Sequence, residues 1–374
     1  MYHTLIIPTK NRPSWLFFSL SCLEKFNYEG KIIILDGSDE KQYNLNIQNY
    51  KKFKNSLNIE AHRENKSQSL AHKNINLSKY NLFKDNINTN YFSTMNDDDC
   101  FFPDFAKYGI KFLKENSDFS AITGIEINNI LDKNLKIKNS LIKVYPEFLS
   151  TDPLDRILYY ATKQNQTLPI FGVCRTNIMN ELFEYEKNYN IKPFCREKIE
   201  GLYSYDQEMP WQLHILLNGK VKVSTDHIMN FRNRHDSPTR DTNLRFKKKH
   251  IAFKGPIELV KNNTLGDFIK EHLSELSFLI KHKTKYDNET VEIVLNRIIW
   301  KFIARESGAG LHSESTDYNN HLREYQKSFK KITISIPKIN KLLSTHFKNQ
   351  ISNKIAQIFL KLKINIMAKS HFYR

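Results

Sequence analysis

Short unbroken apolar runs, separated by segments whose apolar positions recur at helical spacing, pattern the N-terminal part of the chain. His3 to Pro8 (HTLIIP) predicts a buried strand, Pro13 to Phe26 a helix opened by proline, and Lys31 to Leu35 (KIIIL) a second buried strand. Continuous rather than alternating apolar strands, with helices between them, imply a mostly parallel sheet covered on both faces. Ligands of such sheets bind beyond the carboxyl ends of the strands. The segments Thr9 to Arg12 and Asp36 to Asp39 therefore stand where chemistry is expected.

Further along, Ser67 to Leu77 reads as a helix, and Tyr91 to Met95 as a strand that runs into Asn96-Asp97-Asp98-Asp99. Phe119 to Ile125, Leu168 to Cys174, Lys220 to Ser224 and His227 to Phe231 are the remaining predicted strands. Asp206 to Leu217 predicts a helix with Pro210 in its first turn, where a missing N–H is tolerated. From about Lys247 the pattern changes to lysine-rich amphipathic helices: Ile257 to Val260, Leu265 to His282 and Glu289 to Arg305, then a Gly308 to Gly310 break. A chain of 374 residues exceeds what one hydrophobic core usually fills. The expected division is an α/β domain over 1–246 and a basic helical region over 247–374. No internal repeat is visible.

Composition narrows the partners. A net charge of +17 and a pI near 9.4 suit an anionic partner, whether nucleic acid, anionic lipid or a phosphorylated substrate. Abundant lysine, asparagine and isoleucine offer a plainer source for part of that basicity. Cys22, Cys100, Cys174 and Cys195 are widely spaced, with no Cys-x-x-Cys pair, which argues against structural zinc and for a reducing compartment. Pro13 to Leu23 resembles a signal segment, but Ser19 and the lack of a small-x-small site argue against export. No uncharged apolar run is long enough to span a bilayer. The expected location is cytoplasmic.

The run Met95-Asn96-Asp97-Asp98-Asp99-Cys100-Phe101-Phe102-Pro103 is the sharpest chemical feature. Three adjacent carboxylates repel one another unless a cation compensates them. Oxygen ligands of this kind suit Mg2+ or Mn2+ bridging a diphosphate. The plainer alternative is a solvated acidic turn.

These segments, taken in order, resemble glycosyltransferase family 2, which has the GT-A (Rossmann-like) nucleotide-sugar-binding fold. Ile7-Pro8-Thr9-Lys10-Asn11-Arg12-Pro13 resembles the family's first-strand segment, and Leu35-Asp36-Gly37-Ser38-Asp39 its second. Asn65 with Ala71-His72-Lys73-Asn74 resembles a diverged Ala-Arg-Asn helix end, and Asn96-Asp97-Asp98-Asp99 the Asp-x-Asp motif. The resemblance covers roughly residues 4–104. It implies a nucleotide-sugar donor held by Pro8, Thr9, Asn11, Arg12, Asp36, Ser38, Lys73, Asn74, Asn96 and Asp97, with Asp36 bonding the base. Lys73 stands where the family has arginine, offering a point charge without a bidentate fork. Asp98 aligns with the metal-contacting acid; Asn96 takes the place of the first, for which Asp97 can substitute.

In the second half, Asp206 or Glu208 resembles the family's general base, before a helix ending at Asn218-Gly219-Lys220. A carboxylate there can take the proton as an acceptor hydroxyl attacks. An acid favoured by the helix dipole would carry the same letters. Phe231 to Ser237 resembles an aromatic-Arg-x-x-His segment, so that His235 would complete the metal shell while Arg232 and Arg234 neutralise the departing diphosphate. The implied activity is an inverting, metal-dependent transfer to a glycan or lipid-linked acceptor in surface polysaccharide synthesis. Lys341 to Arg374 carries seven Lys or Arg and no acid, which would suit peripheral attachment to an anionic membrane through Phe359, Leu360, Leu362, Ile364 and Ile366. An ordinary packing helix is the alternative.

Three rival readings are weaker. A nucleotidyltransferase wants a glycine-rich loop after the first strand, and Pro8 to Pro13 has no glycine. A nucleic-acid-binding protein leaves the acidic run unexplained, and a non-catalytic membrane scaffold is suggested only by Asn96.

Overall fold

The computed structural model describes residues 3–63, 86–131, 137–162, 169–181 and 203–234, with scattered positions between 280 and 291. The expectations for Ser67 to Leu77, for most of the region after Lys247 and for the basic tail lie outside these residues.

Among the described residues nine strands form one sheet: β1 (His3–Thr9), β2 (Lys31–Asp36), β3 (Asn58–Arg63), β4 (Tyr91–Thr94), β5 (Asp99–Phe101), β6 (Phe119–Leu131), β7 (Ile137–Lys143), β8 (Val173–Arg175) and β9 (Lys220–Arg234). Their order is β3-β2-β1-β4-β8-β6-β9-β5, with β7 added on β6. The strands β1, β2, β3, β4, β6 and β9 run one way, and β5, β7 and β8 run against them. The sheet is mixed and mostly parallel, as the continuous apolar runs imply.

Among the described residues five helices accompany it: α1 (Pro13–Lys25), α2 (Glu40–Phe53), α3 (Pro103–Glu115), α4 (Pro153–Thr162) and α5 (Tyr203–Asn218). Pro13 and Pro103 open α1 and α3 from positions where no N–H is needed. Consecutive residues Ile32, Ile33 and Ile34 of β2 are all fully buried, so both faces of that strand are covered. The core joins Leu16, Leu20 and Leu23 of α1 to Leu5, Ile7, Phe92, Phe101, Phe102 and Phe105. Burying each such side chain contributes roughly 1.5–3 kcal/mol. α1 packs on α2 and on β5, and α4 packs on α5.

Three expectations are corrected. Leu168 to Cys174 is not a strand: Pro169–Phe171 makes a short 3-10 turn and β8 begins only at Val173. Proline has no N–H to give a ladder, and Gly172 donates back to the Pro169 carbonyl at 2.9 Å. A β-carbon at Gly172 would collide with the Ile122 carbonyl, so that crossing needs glycine. Second, α5 starts at Tyr203, which puts Pro210 inside the helix rather than in its first turn. The lost backbone bond is outweighed by burial of Trp211, Leu213, Ile215, Leu216 and Leu217 behind it. Third, Lys220 to Ser224 and His227 to Phe231 are one strand, β9. Ser224 accepts the Asp226 N–H at 3.3 Å, and the pairing with β6 shifts register around Ile125, so the polar interruption is an irregularity within the ladder.

Candidate functional site

The carboxyl ends of β1 and β2 lie side by side, with Thr9 opposite Asp36. Beyond Thr9 the chain turns at Asn11, whose φ of 56° is left-handed, a conformation asparagine tolerates better than most residues. That turn aims the Asn11 N–H at Ser38 Oγ (2.8 Å) and lets Asn11 Oδ1 accept from the Asp39 N–H (2.8 Å). The first two sequence segments are thus bonded to each other. Asp36 is fully buried beneath them. It accepts from the Ser38 N–H at 3.0 Å, from Asn46 Nδ2 at 2.8 Å and from the Tyr50 hydroxyl at 2.7 Å. Burial, then the bond and charge of Asp36, push the Tyr50 hydroxyl well above its ordinary range.

The acidic run forms the turn between β4 and β5. It is not a solvated loop: Asp97, Asp98 and Asp99 keep 3%, 7% and 1% of their exposure. Thr9 Oγ1 donates to Asp97 Oδ2 at 2.7 Å. Arg12 spreads its fork across two acids, donating Nη1 to Asp97 Oδ1 and Nη2 to Asp98 Oδ2, each at 2.6 Å. Ser19 of α1 donates to the backbone carbonyls of Asp97 and Asp99 at 2.8 and 2.6 Å, tying the turn to the helix below it. Desolvation raises the Asp97 carboxyl to about 6, against the opposing pull of Arg12 and Thr9.

Asp99 faces the other way, into the protein. In the β5–β9 ladder it lies opposite Arg232, whose Nε approaches Asp99 Oδ2 at 3.2 Å while Nη1 approaches Glu126 Oε2 at 3.4 Å. The guanidinium also lies over the Phe171 ring at 4.9 Å. Glu126, on β6, is fully buried and accepts from the Tyr145 hydroxyl at 2.9 Å and from Asn128 Nδ2 at 2.5 Å. Burial opposes its ionisation, but Arg232, Lys143, Asn128 and Tyr145 together hold it below its usual range. Asp99 is driven the opposite way, to about 8, by burial in spite of Arg232 and by the neighbouring Asp98 and Glu126 charges.

In these contacts four carboxylates, Asp97, Asp98, Asp99 and Glu126, share two guanidinium groups, Arg12 and Arg232, while Asp36 is met by Ser38, Asn46 and Tyr50. Burial and mutual repulsion drive Asp97 and Asp99 toward their protonated forms, and a cation beside the turn would favour their ionised forms. Among the described residues no three His, Cys, Asp or Glu are grouped to hold a metal by themselves. Asp97 and Asp98 match the one or two carboxylates that Mg2+ or Mn2+ takes when phosphate oxygens and water supply the rest.

The structure therefore brings Thr9, Asn11, Arg12, Asp36, Ser38, Asn96, Asp97 and Asp98 to one edge of the sheet, with Pro8 leading into it on β1. Asn96 does not reach away from the turn; its Nδ2 donates to Asp99 Oδ2 at 3.1 Å. Arg232, expected toward a departing diphosphate, sits behind the turn between two acids. Asp206 and Glu208 lie on the backbone of α5, but their side chains, that of Arg234, and Lys73, Asn74 and His235 are outside the described residues. Ser19, Asn46, Tyr50, Glu126, Asn128 and Tyr145 were not legible as site residues. Glu126 alone carries a signal, a charge within the apolar run Phe119 to Ile127, which demands a buried partner.

No protein-family model and no curated relative matches this chain. Solved structures similar to it include S. aureus TarS residues 1–349, with 16% identity, 82% of this chain and 90% of that one covered, and a TM-score of 0.42. Another is the mannosyltransferase PcManGT from Pyrobaculum calidifontis in complex with GDP-Man and Mn2+, with 8% identity, 96% and 88% covered, and a TM-score of 0.41. A third is 4-diphosphocytidyl-2C-methyl-D-erythritol synthase from Anaerococcus prevotii, with 13% identity, 60% and 86% covered, and a TM-score of 0.34. At TM-scores this low none of them carries weight for function, which rests on the site's own residues. Among the described residues no helix is long and apolar enough to cross a membrane.

Proposed function

We propose that this chain is a glycosyltransferase that binds a nucleotide-sugar donor over the carboxyl ends of β1, β2 and β4. One observation carries the reading: Thr9 and Arg12, from the first segment, grip Asp97 and Asp98 of the acidic turn, while Asn11 of that same segment holds Ser38 of the second. Three segments far apart in sequence converge on one buried, acid-rich edge. That is where a parallel sheet binds ligands.

On this reading the Asn11–Ser38 junction and Asp36 receive the nucleoside, and the diphosphate lies toward Arg12 and the acidic turn. A divalent cation held by Asp98 and Asp97 would supply positive charge to the leaving diphosphate. Arg12 keeps the two carboxylates paired before the donor arrives. Asp206, on α5, takes the proton from an acceptor hydroxyl as its oxygen bonds to the anomeric carbon. The sugar's bond to the diphosphate breaks with the electron pair leaving on the nucleoside diphosphate, and the anomeric configuration inverts. Glu208 is the alternative base; Lys73, Asn74, Arg234 and His235 would complete the donor and metal contacts. The acceptor is a hydroxyl of a glycan or lipid-linked glycan, reached in the cytoplasm with the basic tail against an anionic leaflet.

Thermal unfolding with a panel of nucleotide sugars, with and without manganese, tests the reading. One nucleotide sugar should stabilise the chain, and more so with manganese. If none does under either condition, the donor-site reading fails.

A further inference from the structure

The acidic turn is held not only from the side of Arg12 but from behind, by a chain of buried and half-buried groups. The Asp99 N–H bonds the Asn96 carbonyl at 3.1 Å and closes the turn that carries Asp97 and Asp98. The Asn96 side chain donates to the Asp99 carboxylate, and that carboxylate faces Arg232. Arg232 in turn faces Glu126, which is fixed by Tyr145 and Asn128. Asp99, Arg232 and Glu126 belong to three strands adjacent in the sheet, β5, β9 and β6, and Arg232 and Glu126 are 106 residues apart in the chain.

The distances matter. An arginine committed to one carboxylate approaches it at roughly 2.7–2.9 Å. Here the guanidinium stands at 3.2 Å from Asp99 and 3.4 Å from Glu126, shared between them and fully closed on neither. Without the Glu126 charge the pull opposing Asp99 is weakened, and the guanidinium would move toward Asp99. Asp99, Asn96 and the turn they close would follow. We infer that Glu126 is a positioning residue of the proposed donor site: by holding Arg232 off Asp99, it sets the Asn96–Asp99 turn and so the placement of Asp97 and Asp98. This rests on the donor-site reading, and assigns to that site a residue on β6 that touches neither donor nor cation.

Glu126→Gln keeps the shape and an acceptor for Tyr145 while removing the charge. Binding of UDP and of GDP, each with manganese, is measured by calorimetry on wild type and variant, alongside the unfolding midpoint. For the nucleotide that wild type binds, the affinity of Glu126→Gln should fall on the order of 10-fold, as when a residue supporting metal ligands is lost. Tyr145→Phe, which loosens Glu126 but leaves its charge, should show a smaller loss in the same direction, and serves should Glu126→Gln fail to fold. A lowered midpoint with unchanged affinity per folded molecule in the variant that folds means that Glu126 only stabilises the sheet, and overturns the inference alone. Wild type that binds neither nucleotide overturns the inference together with the donor-site reading.

Discussion

The Thr9 hydroxyl bonds the Asp97 carboxylate at 2.7 Å across 88 residues of chain, joining the end of β1 to the turn after β4. Both groups are buried, with Thr9 keeping 6% and Asp97 3% of their exposure. A hydroxyl donor removed from a buried carboxylate leaves that acceptor with a desolvation cost of about 1–3 kcal/mol. Thr9→Val should lower stability by about that amount. Denaturant unfolding at neutral pH measures it, and wild-type stability in the variant would mean that the bond is not made in solution.

Arg12 offsets the repulsion between Asp97 and Asp98, at 2.6 Å from each. Arg12→Ala leaves two close, largely buried carboxylates without that guanidinium, and should destabilise the chain at neutral pH. Manganese should then restore part of the loss. The increase in melting temperature on adding manganese is expected to be larger for Arg12→Ala than for wild type, because the ion no longer competes with the guanidinium. Equal increases would mean that these two acids are not a metal pair.

Asp98→Ala and Asp206→Asn separate donor binding from transfer. Asp98→Ala should abolish manganese-dependent stabilisation by a nucleotide sugar. Asp206→Asn should retain that stabilisation and stop turnover. Full turnover by Asp206→Asn would move the proton acceptor elsewhere, first to Glu208.

His3 offers a pH dependence away from the site. Its ring is buried between the Tyr28 hydroxyl at 2.7 Å and Ser93 Oγ at 2.9 Å, and burial lowers it from 6.5 to about 3. Between those values the unfolded chain binds the proton and the folded chain does not, so stability is complete above 6.5 and declines as pH falls toward 3. The slope from one such group is about 1.4 kcal/mol per pH unit. Replacing His3 with glutamine should flatten that part of the stability–pH curve in urea unfolding, and an unchanged slope would assign the acid sensitivity to other groups.

Local pattern made much of the first half readable. Residues Leu5 to Pro8 and Ile32 to Leu35 are unbroken apolar runs because each strand is covered on both faces, and burial of that kind is written in composition. The proline at the start of α1 was equally plain. Strand β5 was not, since three residues without a distinct run are stabilised by their pairing with β9 and not by their own propensity. The same holds for β8, where Gly172 and Pro169 shape the backbone before any strand begins.

The residue order by itself determined the parallel-sheet character, the position of Thr9, Asp36 and the acidic run at strand ends, and the clustering of negative charge, because these depend on short-range periodicity and on residue type. Only the tertiary structure decided which way each acid faces. Asp97 and Asp98 meet Arg12, while Asp99 turns inward to Arg232 and through it to Glu126. Adjacent residues entering a strand point to opposite sides, and what waits on each side is set by ladders that join residues about a hundred positions apart, beyond the reach of any local pattern.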